Sequence, residues 1–136
     1  MKLLIEKAER ITGESSVPSS KSHTIRAFVF ASLAEGRSVL QNALESEDTR
    51  AVIEACSALG ADITKRGEGE FEITGFEGYP NVRRDTINTL NSGTTTNFIA
   101  SVAALADKTI IIDGDESIRR RPVQPLLSAL NNLGAR

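Results

Sequence analysis

Lys21, Ser22 and Arg26, in the stretch SSKSHTIRA at 19–27, are the first residues whose types and spacing could do chemistry. Ser22 and Arg26 stand four apart, so on a helix both reach one ligand. Arginine grips a phosphate or carboxylate through two parallel hydrogen bonds, and lysine adds a compact charge. An apolar run of helical period follows, so these residues fall at a helix start. That is the positive end of the helix dipole, where Asp or Glu is the usual choice. Its unpaired N–H groups already suit an anion. Two further starts share this character. NSGTTT at 91–96 is polar and uncharged, with Gly93 permitting close approach of backbone to a ligand. RRRP at 119–122 puts Pro122 at the expected first helical position and Arg121 at or near the cap. Three adjacent cations repel one another, and a bound anion would offset that. The fourth start, SED at 46–48, reads as an ordinary serine cap followed by acids.

Each feature alone has a bland reading: a serine cap, a turn with a cap, a solvated basic patch. The last is the expectation for Arg83 and Arg84. Together, at related helix starts, they point to one or two small ligands carrying several negative charges. The lone Cys56 excludes a disulfide framework and a thiolate metal site. It shares a helical face with Val52, Ile53 and Leu59 and reads as a small buried hydrophobe. The lone His23 has no ligating neighbours for a metal, and its place beside Lys21 and Ser22 leaves a substrate contact open.

The elements that must position these residues come from hydrophobic period. The chain has 136 residues, enough for one modest domain, and a net charge of −2, so it is not a general nucleic-acid or membrane-surface binder. No apolar run is long enough to span a bilayer, and MKLLI is too short for a signal-peptide core, which implies a cytoplasmic protein. Helical period marks Ile25, Phe28, Val29 and Leu33; Val52, Ile53, Cys56 and Leu59; Phe98, Ile99, Val102 and Leu105; and Val123, Leu126, Leu127, Leu130 and Leu133. Strand-like runs lie at 38–41, 61–64, 70–74 and 109–112, with GEGE at 67–70 as a hairpin turn. Helices alternating with strands predict an α/β layout. A repeat is also visible. An offset of 72 matches Leu33 with Leu105, Ala34 with Ala106 and Val39 with Ile111, and an offset of 74 matches AVIEACSALGA at 51–61 with PLLSALNNLGA at 125–135. The chain stops one residue after the second Leu-Gly-Ala, which leads us to expect a fragment.

SSKSHTIRA, SEDT, NSGTT and GDESIRRRPVQPLLSALNNLGA, in this order, resemble the 5-enolpyruvylshikimate-3-phosphate synthase family along essentially the whole chain. The resemblance implies the N-terminal third of an enzyme that transfers the enolpyruvyl group of phosphoenolpyruvate to shikimate 3-phosphate, without metal or organic cofactor. It implies the enolpyruvyl transferase fold, an inside-out α/β barrel of repeated βαβαββ units in two halves, here incomplete. Residues 1–12 would be the first strand and belong to the other half, and 13–136 would form the N-terminal substrate-binding domain. It further implies that Lys21 contacts both substrates and is the one acid–base candidate. Ser22 and Arg26 would hold shikimate 3-phosphate. Asn91, Gly93 and Thr94 would line the phosphoenolpyruvate site, which the inhibitor glyphosate shares, and Arg121 would bind the phosphoenolpyruvate phosphate. The partners implied are these two small molecules and the remaining C-terminal part of the enzyme, not nucleic acid or membrane. Thr96 and Asn97 depart from the family's usual Met-Arg. The competing readings are the related UDP-N-acetylglucosamine enolpyruvyl transferase, which has asparagine where Ser22 stands, and a non-catalytic phosphate-binding module.

Overall fold

The computed structural model describes residues 2–135. Five helices and five strands follow the order α1 (Lys21–Leu33), β1 (Arg37–Leu40), α2 (Glu47–Ala58), β2 (Asp62–Gly67), β3 (Glu70–Thr74), β4 (Thr86–Asn88), α3 (Gly93–Ala103), β5 (Ile111–Asp113), α4 (Glu116–Arg119) and α5 (Gln124–Asn132). The four helices of clear period and the four strand runs are present with shifted ends. The three-residue β4 and one-turn α4 escape a reading by period.

The helices α1, α2 and α3 pack on one another, and the sheets lie outside them. β1 and β2 flank β3 antiparallel, while β4 and β5 form a separate parallel pair. The expected turn at 67–70 joins β2 to β3, with Gly69 at φ +63° and a bulge between Lys65 and Gly67. Small residues permit the close helix contacts: Ala31, Ala51, Ala55 and Ala58 are all buried. Around them sit Ile25, Phe28, Val52, Leu59, Ile73 and Ile99. Phe28 meets Phe71 edge-on, with ring centroids 5.0 Å apart. That geometry contributes roughly 0.5–1.5 kcal/mol beyond simple burial. Cys56 is buried as expected, and burial pushes its thiol up to about 11.

The repeat is written in the backbone hydrogen bonds. Ser20 and Ser92, 72 apart, both cap helices and accept from the N–H three residues on. Gly60 and Gly134, 74 apart, both have positive φ just past a helix end. There Ala61 N–H donates to Cys56 C=O at 3.0 Å, as Ala135 N–H does to Leu130 C=O at 3.1 Å. The two units differ in what covers them. α2 is buried between α1, α3 and the sheets, whereas α5 has no buried residue, with Leu133 exposed.

At the far end of α1, the chain after β3 satisfies orphan helix carbonyls. Phe76 N–H donates to Ser32 C=O at 2.8 Å and Gly78 N–H to Leu33 C=O at 2.9 Å. Gly75 makes this possible, since a Cβ there would lie 2.1 Å from the Ala34 carbonyl oxygen. Residues 2–20 form no helix or strand, and Leu3, Leu4, Ile5, Ile11 and Val17 are exposed.

Candidate functional site

Three helix N-termini meet at one end of the molecule. α1 starts at Lys21 behind its cap Ser20, with no acid in the first turn. α3 starts at Gly93 behind its cap Ser92, also without an acid. α2 lies between them, and its first turn carries Glu47 and Asp48 behind a capping box of Ser46 and Thr49. Lys21 Nζ donates to Asp48 Oδ2 at 3.2 Å, which ties the start of α1 to that of α2. The Asp48 carboxyl also faces the Ser92 hydroxyl at the start of α3. Its pKa is held below the ordinary carboxylate value by that hydroxyl first, then by the Lys21 ammonium and the field of Arg121, against an opposing contribution from burial. Ser92 Oγ itself is 2.8 Å from Thr95 Oγ1 inside the α3 cap.

Arg121 completes the cluster. Its guanidinium lies over Gly93, so close that a Cβ on Gly93 would stand 2.2 Å from the Arg121 Nη1. The structure therefore brings Lys21, Gly93 and Arg121 together, with Asp48 and Ser92 among them. Asn91 and Thr94 flank this point in sequence, Asn91 exposed and Thr94 half-buried. Arg26 sits one turn into α1, where its Nη1 donates to Ser22 C=O at 3.0 Å and its guanidinium lies 5.5 Å from the Phe98 ring centroid of α3. Arg26 and Ser22 thus share a face, as their spacing predicts, along the seam between α1 and α3. His23 is exposed, and its N–H donates to the Ser20 cap.

Three expectations about cations are corrected. Pro122 is not the first helical residue, because α5 begins at Gln124 with Val123 at its cap and Pro125 inside the first turn. Arg121 therefore stands in the loop before α5, two residues ahead of that helix's cap. The run Arg119, Arg120, Arg121 is not three uncompensated charges either. Arg119 closes the last turn of α4 and grips Asp113 with two bonds, at 2.8 and 2.6 Å. Arg120 pairs with Glu116. Both cations lie at a helix C-terminus, where the dipole favours them. Among the described residues, Arg121 alone of the three bonds no carboxylate. Arg83 and Arg84 are more than a solvated patch. Arg83 pairs with Asp62 at 2.8 Å, and Arg84 donates to Glu54 C=O at 3.3 Å.

Asp48 is the residue that sequence reasoning missed. An acid in a first helical turn has a sufficient local explanation in the dipole, so nothing in SED at 46–48 marks it. The remaining signal was indirect: two neighbouring helices omit their acids while the one between them keeps two. Glu47 is turned to Arg50 at 3.7 Å, which leaves Asp48 for the cluster.

Comparison with known proteins bears on this arrangement. Residues 5–136 match a family model described as EPSP synthase (3-phosphoshikimate 1-carboxyvinyltransferase). The chain is 49% identical over 133 residues to the 3-phosphoshikimate 1-carboxyvinyltransferase of Acetivibrio thermocellus, covering 98% of this chain and 31% of that protein. It is 44% identical to the enzyme of the same name from Methanosphaera stadtmanae, covering 98% of this chain and 32% of that protein. It thus spans about a third of the length of these curated relatives. Among solved structures, EPSP synthase from Acinetobacter baumannii superposes with a TM-score of 0.81 at 27% identity, over 91% of this chain and 28% of that one.

Proposed function

Because this chain belongs to the EPSP synthase family, we propose that it is the N-terminal, substrate-holding portion of an enzyme on the route to chorismate and the aromatic amino acids. The whole enzyme would move the enolpyruvyl group of phosphoenolpyruvate to the 5-hydroxyl of shikimate 3-phosphate and release phosphate, in the cytoplasm. The observation that carries this reading is the meeting of Lys21, Gly93 and Arg121 at three joined helix N-termini. Such a focus of positive potential suits two anions held side by side.

On this reading Arg121 and the Gly93 backbone receive the phosphoenolpyruvate phosphate, with Asn91 and Thr94 on either side. Ser22 and Arg26 hold shikimate 3-phosphate one turn along α1. Lys21, between the two, touches both and is the acid–base candidate. The reaction needs a proton delivered to the methylene of phosphoenolpyruvate and one removed from the 5-hydroxyl. The carboxylates for that work come from the C-terminal part, together with a partner strand for residues 1–12. The exposed face of α5 is where that part would continue.

The test pairs the chain alone with the same chain joined to the remainder of the Acetivibrio thermocellus relative, followed by phosphate release from phosphoenolpyruvate and shikimate 3-phosphate. The joined protein turns over. The chain alone does not, because misplacement of reactants by about 1 Å already costs around a hundred-fold, and one open face holds them less closely than that. It retains anion binding near millimolar, about −4 kcal/mol. Absence of turnover in the joined protein, with anion binding intact, would instead leave a non-catalytic phosphate-binding module.

A further inference from the structure

We infer that Asp48 is a positioning residue: it holds the Lys21 ammonium at the point where the starts of α1, α2 and α3 meet, beside Arg121 and Gly93. This rests on the proposed ligand site and adds a residue to it. The geometry makes Asp48 the link between elements. Its carboxylate sits on the first turn of α2, accepts from Lys21 of α1 at 3.2 Å, and faces Ser92 of α3. The Asp48 side chain is 23% exposed, against 49% for that of Lys21. The anchor is therefore the more enclosed partner and the lysine the more exposed one. A lysine stem has four rotatable carbons and no preferred direction of its own. Without an anchor Lys21 would spread into solvent, away from Arg121 and toward no single ligand atom. The depressed pKa of Asp48 agrees with a carboxylate that stays ionised for this task.

Loss of Asp48 has two opposed effects on a bound anion. Removing a negative charge favours the anion, while releasing Lys21 disfavours it. A single affinity therefore does not decide the matter, but the coupling between the two residues does. The experiment uses the 136-residue chain with phosphoenolpyruvate as probe, in wild type, Asp48→Asn, Lys21→Ala and the double variant. Side-chain relaxation of Lys21, measured by NMR, gives a readout without ligand. In wild type Lys21 is more ordered than Lys108, an exposed lysine in the loop between α3 and β5, and in Asp48→Asn the two become alike. Lys21→Ala weakens phosphoenolpyruvate binding about tenfold in wild type, as expected for loss of a charged contact, and less than about twofold in the Asp48→Asn background. Asp48→Glu, which restores a carboxylate, restores most of the coupling. A merely structural role for Asp48 would lower the melting temperature and leave the Lys21→Ala effect the same in both backgrounds, which overturns the inference. So does a Lys21 that stays equally ordered in Asp48→Asn. A wild-type chain that binds no phosphoenolpyruvate sinks the ligand site itself, and this inference with it; that failure is recognised in wild type alone.

Discussion

Replacing Gly93 by alanine separates folding from binding at the site. A Cβ built on Gly93 lies 2.2 Å from the Arg121 Nη1, 3.3 Å from its Cζ and 3.8 Å from its Cδ. Ordinary contact starts near 3.5 Å, so the guanidinium must retreat by more than about 1 Å. What it meets is the far end of a flexible side chain, not backbone, so the helix need not move. Gly93 is the first residue of α3. Alanine there restricts the unfolded chain more than glycine does, and a compatible Gly→Ala change stabilises by about 0.4–1 kcal/mol. The melting temperature of Gly93→Ala should therefore stay level or rise by a few degrees. Binding should move the other way. A displaced guanidinium forfeits a charge-assisted contact, roughly 1.5–3 kcal/mol, or ten- to a hundred-fold in affinity. The assay is titration of phosphoenolpyruvate into the chain and into the Gly93→Ala variant, followed at the backbone amides of this position and of Thr94, with thermal melts on the same samples. In the joined enzyme the same change raises the Michaelis constant for phosphoenolpyruvate and weakens inhibition by glyphosate. Adding Arg121→Ala to Gly93→Ala should cost little more, because the first change has already removed what the second removes. Unchanged affinity with α3 intact would refute the placement of the phosphate between Gly93 and Arg121.

Other expectations follow from the same geometry. Arg121→Ala should weaken phosphoenolpyruvate binding about ten- to a hundred-fold, while Arg119→Ala, which only breaks the exposed pair with Asp113, should change it less than about threefold; equal effects would contradict the division of labour among the three arginines. Asp113 is held down from its ordinary 3.8 to about 2, first by the Arg119 hydrogen bonds and then by Gly114 N–H. A depressed folded-state pKa stabilises above the unfolded value and loses that effect as protons return. The stability gap between wild type and Asp113→Asn in urea should thus be constant near neutrality and narrow as pH falls from about 4 through about 2; a gap as wide at pH 2 as at neutrality refutes the pairing. Gly75→Ala should destabilise by several kcal/mol, since its Cβ would meet three carbonyl oxygens of the end of α1 at 2.1–2.9 Å; urea unfolding within about 0.5 kcal/mol of wild type would refute that approach.

How much of this was legible in the sequence depended on whether each signal was local. The serine caps, the helix periods and the Leu-Gly-Ala ends are written in short stretches of sequence, and they held. Thr86–Asn88 has one apolar residue, Ile87, too short for alternation to show. Its strand character comes from pairing with β5, a non-local fact. The start of α5 was misjudged because Pro122 and Pro125 both suit a first helical turn, and the chain uses the second. The pairing of Arg120 with Glu116 was open to view at a spacing of four. That of Arg119 with Asp113 was not, since it crosses from a strand to a helix. Burial of α1 on most sides, at Thr24, Ile25, Phe28, Val29, Ala31 and Ser32, leaves no clean polar face from which to read its place inside the sheets.

The deepest part of the site was invisible for a related reason: it is a property of three helices at once. An N-terminus carries about half a positive charge, and alone it is satisfied by one acid or by water. Where the starts of α1, α2 and α3 are tied through Lys21, Asp48 and Ser92, those partial charges add to about one and a half. Lys21 and Arg121 bring two more and Asp48 removes one, leaving roughly +2.5 spread over the cluster. A phosphate group carries about −1.5 to −2 near neutral pH, and a carboxylate beside it adds one. At these three starts the chain keeps two acids, Glu47 and Asp48, with Glu47 turned to Arg50, and the positive charge left over is of the size that a molecule bearing both groups would neutralise. A further acid at the start of α1 or α3 would stabilise its own helix and spoil that balance. Their absence from KSHT and GTTT is the trace this site leaves in the sequence.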